Sequence, residues 1–79
     1  MVKLAKTTSE LEGLVLAELR AVPECADARH VTVIAYDDFR ASSNWQVASF
    51  NPGTADWSRC ESAVSSIVGH LQTRFEMAH

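Results

Sequence analysis

Seventy-nine residues with a formal net charge of −3, 47% of them hydrophobic and 22% charged, are too few for two cores and too apolar for a disordered chain. The seven basic residues are outnumbered by ten acidic ones and form no run, so the chain lacks the positive field with which a nucleic-acid binder neutralises phosphates. No segment approaches the ~18 consecutive apolar residues of a membrane span, and the first residues lack the apolar run of a secretory signal.

A domain of this size buries only roughly 60–65% of the surface its unfolded chain exposes, so one core leaves a thin margin of stability. Small chains make up the deficit with disulfides, a metal or a partner subunit. Cys25 and Cys60 are far apart, without a CxxC or clustered histidines, so no zinc site follows from their spacing. Both have apolar neighbours and read as small buried hydrophobes. Free thiols without an export signal predict a cytoplasmic protein. Self-association is the remaining supplement.

In chain order, Met1 to Thr8 reads as an arm, with Leu4 packing on the helix that follows. Ser9 as N-cap with Glu12 three residues on has the spacing of a capping box, and the helix it opens runs over 9–22 until Pro23 stops it. Leu11, Val15, Leu19 and Val22 form its apolar stripe. Leu14 and Leu16 fall on opposite flanks, so Leu16 is either exposed or covered by a second surface. Residues 23–29 connect to the clearest strand, 30–36, with Val31, Val33 and Ala35 on one face and Thr32, Ile34 and Tyr36 on the other. Neither face is properly polar, which predicts at least partial cover on both.

Asp37 to Asn44 is a loop, and residues 45–50 are a second strand. Asn51-Pro52-Gly53 is a turn, with glycine at the position that needs positive φ in a type II geometry. Thr54 then caps a helix over 55–77 whose stripe is Trp57, Cys60, Val64, Ile67, Val68, Leu71 and Phe75. At 1.5 Å per residue that helix is about 34 Å long, against about 20 Å for a six-residue strand. It overshoots its own sheet, so another molecule must cover the remainder. The order helix, strand, strand, helix predicts a single α+β domain over 1–79 with an antiparallel two-stranded hairpin. Two-stranded sheets are marginal. A second copy would complete this one to a larger sheet, edge to edge, or pack against it face to face.

Candidate chemistry is sparse. Asp37 and Asp38 with Arg40 make the most polar loop, but a metal there would need a further oxygen ligand, for which Asn44 and the distant Asp56 are the only candidates, and a solvated turn, then a partner contact, is the simpler expectation. His30, His70 and His79 have no ligand spacing. Cys25 with His30 supplies a nucleophile and a base but no orienting third member. The glycines are isolated, so no phosphate cradle exists, and no cofactor or metal is expected. The strands carry no Lys or Arg, unlike a base-stacking platform. Trp57 and Phe75 lie on the helix stripe as core candidates. The expected contact surface is Leu16, Tyr36, Phe39, Trp45 and Phe75. These features predict a non-catalytic homodimeric interaction or assembly module, its partner a second copy and after that another protein. The alternatives are a nucleic-acid-associated regulator whose arginines are gathered by dimer symmetry, and a small thiol-dependent enzyme.

Overall fold

Thr7, rather than Ser9, opens the first helix. In the computed structural model, which describes residues 3–38 and 43–78 with only the backbone at 37 and 38, the Thr7 hydroxyl accepts from the Glu10 amide and the Glu10 carboxylate accepts from the Thr7 amide, both at 3.1 Å. Thr7/Glu10 and Ser9/Glu12 both fit the capping-box pattern. The upstream pair takes the role, which leaves Glu12 free for the sheet. Helix α1, Thr8–Ala21, buries Leu11, Val15 and Leu19. Leu14 and Leu16 both rest half-buried against the core, so the chain itself covers the Leu16 flank. A short 3-10 turn, Pro23–Cys25, follows.

The expected α+β architecture with an antiparallel hairpin is present. Strands β2, His30–Asp38, and β3, Ser43–Asn51, pair from His30↔Asn51 to Asp38↔Ser43, with Ala48 the extra residue between the Thr32↔Ser49 and Val33↔Val47 pairs. β2 therefore runs through Asp37 and Asp38, which the sequence assigns to a loop. Val31, Val33 and Trp45 face the helices and are buried.

Beyond β3 the chain turns at Gly53, whose φ is +68°. The Ala55 amide donates to Pro52 O at 3.3 Å, so the turn begins one residue later than a Pro-Gly type II turn. Thr54 donates to the Asp27 carboxylate through both its amide and its hydroxyl at 2.9 Å. It is thus engaged away from the helix, and Asp56 caps α2 by accepting from the Arg59 amide at 3.2 Å.

Helix α2 is Trp57–Gln72, about 24 Å at 1.5 Å per residue, and it is shorter than the nine-residue strands beside it. The predicted overshoot does not exist. Thr73 closes the helix, its hydroxyl donating to His70 O at 2.6 Å, and Phe75–Met77 continues as strand β4. β4 pairs in parallel with β1, Leu4–Lys6, so the N-terminal arm is partly a strand, and Leu4 is 63% exposed rather than packed on α1. Cys25 and Cys60 are joined in a disulfide across Cα atoms 5.8 Å apart. Both are fully buried, as expected of small hydrophobes, but they are buried against each other and are not free thiols. No helix among the described residues is long and apolar enough to cross a membrane.

Candidate functional site

The disulfide takes the Cys25 sulfur out of any nucleophilic role, and the His30 ring meets the Thr32 hydroxyl at 3.0 Å. Among the described residues no group of three or more His, Cys, Asp or Glu could hold a metal ion. Phe39 and Arg40 lie outside the described residues, as do the side chains of Asp37 and Asp38.

The two tryptophans exchange their expected roles. Trp45, expected at a contact surface, is fully buried, and its indole N–H donates to Phe75 O at 3.1 Å. That internal acceptor satisfies the one polar atom which would otherwise hold an indole at the surface. Trp57, expected in the core, is 54% exposed and stacks on Phe50 with centroids 5.7 Å apart and planes at 13°. It is the first residue of α2, and Cys60 is the first stripe residue to be buried, against Cys25. Phe75 leaves the helix for β4, where it is half-buried with Lys6 and Arg74 cations 5.7 and 5.6 Å from its ring centroid. Tyr36 stays exposed at 49%, and its neighbour on the same face of β2, Ile34, at 39%. The period-two alternation of β2 pairs Ile34 with Tyr36 in the sequence, yet the contact surface drawn from the sequence omits Ile34.

The hairpin therefore has a closed inner face and an open outer one. Register places Thr32, Ile34, Gln46 and Ser49 on the outer side, and neither 30–36 nor 43–51 contains Asp, Glu, Lys or Arg. The edges are treated differently. On the β2 edge the Val33 amide donates to the Glu12 carboxylate at 2.9 Å. On the β3 edge the Asn44 side chain donates to Met77 O at 3.0 Å and accepts from the Met77 amide at 2.8 Å, while Gln72 donates to Trp45 O at 2.6 Å. These bonds fasten β4 and the end of α2 against the first third of β3. Farther along, β3 faces a groove of about 390 Å³ whose other wall is α2.

Two exposed carboxyls near the element ends sit below their ordinary values. Hydrogen bonds from the Thr54 amide, then from its hydroxyl, hold Asp27 below 3.8. The Thr7 amide, then the Thr7 hydroxyl, holds Glu10 below 4.5. Both anions serve turns and caps. Comparison with known protein families, curated proteins and solved structures finds no match for this chain.

Proposed function

We propose that this chain is a non-catalytic interaction module that associates with a second copy of itself through the outer face of the β2–β3 hairpin. The observation that carries the proposal is the pair Ile34 and Tyr36, exposed side by side on a hairpin whose residues 30–36 and 43–51 contain no Asp, Glu, Lys or Arg. Two copies of net charge −3 approach at least cost over a stretch of sheet that carries no carboxylate, as 30–36 and 43–51 do not. A tyrosine, with an apolar ring and a polar tip, suits such an interface. Face-to-face packing also covers a sheet of only two strands, and sheets stack in this way about 10 Å apart. Edge-to-edge pairing through β2 is disfavoured because the Glu12 carboxylate already occupies the Val33 amide.

An assembly role is favoured over a nucleic-acid role by where two of the four described arginines are engaged. Arg20 donates to Ala28 O at 2.7 Å and Arg59 pairs with Glu24 at 3.5 Å, and neither lies on the open sheet face. The disulfide supports an oxidising compartment, because the cytoplasmic expectation rested on free thiols. Light scattering coupled to gel filtration at micromolar concentration tests the proposal. A mass of twice 8.7 kDa is expected, and a monomer throughout the accessible range contradicts it.

A further inference from the structure

We infer that the groove between β3 and α2 takes up an extended, basic peptide segment of another protein as an added strand on the open β3 edge. The direction of the β3 backbone is fixed from both ends. Asn51 O accepts from the Arg29 amide at 2.9 Å, so Asn51 turns its backbone toward β2. Trp45 O accepts from Gln72, and the Val33 amide, opposite Val47, donates to Glu12. The Val33↔Val47 and Ala35↔Trp45 pairs therefore turn their backbone groups away from each other. Alternation from either end then points the amide and carbonyl of Val47 and Phe50 away from β2. Among the described residues no other strand pairs with β3 there.

The groove is lined by every residue from Val47 to Phe50 rather than by alternate ones, which is how a strand presents its edge and not its face. A second hollow of about 250 Å³ continues the same channel past Gln46 toward Val68 and Gln72, ending where Gln72 occupies Trp45 O. The open edge thus spans about five residues, roughly 17 Å. Exposed edges are ordinarily guarded by charge or proline, and 46–50 contains neither.

An extended backbone is the occupant that satisfies a row of strand-edge donors and acceptors, while alternate side chains of the guest read the walls. Those walls are apolar at Val64 and at the stacked Phe50–Trp57 pair. Glu61 is the one ionisable residue lining either hollow. The guest is accordingly a segment alternating apolar residues with Lys or Arg. A second copy of this acidic chain would bring the wrong net charge to Glu61. This surface adjoins the Ile34/Tyr36 face at Gln46 and Ser49 but is centred on the Val47 and Phe50 edge.

The test uses the full chain as bait for a phage-displayed library of unconstrained 12-residue peptides, followed by synthesis of the most enriched peptide. Enrichment of alternating apolar and basic sequences is expected, with amide shifts in nuclear magnetic resonance at Val47 and Phe50. N-methylation of the peptide at alternate residues should weaken binding about tenfold or more in one register and little in the other. Trp57→Ala, which alters an exposed ring, should weaken binding comparably, and Glu61→Lys should remove the preference for basic peptides. Failure to enrich any peptide overturns the inference, as do shifts centred on Ile34 instead of Val47 or equal effects of methylation in both registers. Concentration-dependent shifts at Val47 and Phe50 without peptide would assign the edge to a second copy and overturn it equally.

Discussion

The two ends of β3 belong to one continuous strand and differ in what closes them. At the Ser43–Trp45 end, Asn44 reads both backbone groups of Met77, Gln72 covers Trp45 O, and the Trp45 indole finds a carbonyl inside the fold. At the Val47–Phe50 end, no strand or side chain of that kind arrives among the described residues, and the aromatic pair Phe50–Trp57 stands half in water beside the groove. Strand edges in a small domain are thus sealed by single polar side chains reaching backbone groups, not by more strands. The same rule applies across the hairpin, where the Glu12 carboxylate seals the β2 edge at Val33. Where no such side chain is placed, the edge remains available.

The sharpest way to break this contrast is to truncate one tryptophan at a time. Trp45→Ala should cost about 3–5 kcal/mol, the range for a large buried aromatic. Trp57→Ala should cost only about 0.5–1.5 kcal/mol, the worth of its ring stack. Urea denaturation of both variants checks the ratio. Next in size is the tether that holds the wall of the open end. The Cys25–Cys60 bond closes a separation of 35 residues, so the Cys25→Ala/Cys60→Ala double variant should lose about 3–4 kcal/mol, seen as a lowered urea midpoint.

Smaller again is the seal on β2. Glu12→Ala leaves the Val33 amide without its acceptor and should cost about 1–3 kcal/mol. Glu12→Gln, which keeps an oxygen at that position, should recover most of the loss. The smallest effect is on pH dependence. Because Asp27 is held below 3.8 by Thr54, its contribution is complete above that value and is lost as pH falls through the depressed one. At neutral pH Asp27→Asn should be less stable than the parent chain, and the gap should close in acid. Thermal melts across the acid limb measure this.

Much of the fold was legible because it is local. Alternation in 30–36, the Pro23 stop and the α1 stripe all speak through neighbouring residues, whereas the positive φ of Gly53 was expected from a type II turn and arises in a turn that begins one residue later. The sequence misled where two structures share one pattern. Phe75 lies four residues beyond Leu71 and so continues a helical stripe in phase, but Thr73 ends the helix and the same residue becomes a strand position. The β1–β4 pairing joins Leu4 to Phe75 and has no local signature at all. The disulfide was hidden for a related reason. Two cysteines among apolar neighbours look like core residues, and only the packing of the Pro23–Cys25 turn on α2 brings them together. At the candidate surface Tyr36 is exposed, while the Trp45/Trp57 exchange was not legible, because it depends on which indole meets a carbonyl.

The open outer face of the hairpin carries the functional account, and sedimentation equilibrium on the parent chain and on Ile34→Lys/Tyr36→Lys tests it most directly. The parent should sediment as a dimer and the double variant as a folded monomer with an unchanged far-ultraviolet spectrum. A parent that is monomeric, or a variant that dimerises as tightly as the parent, would contradict it.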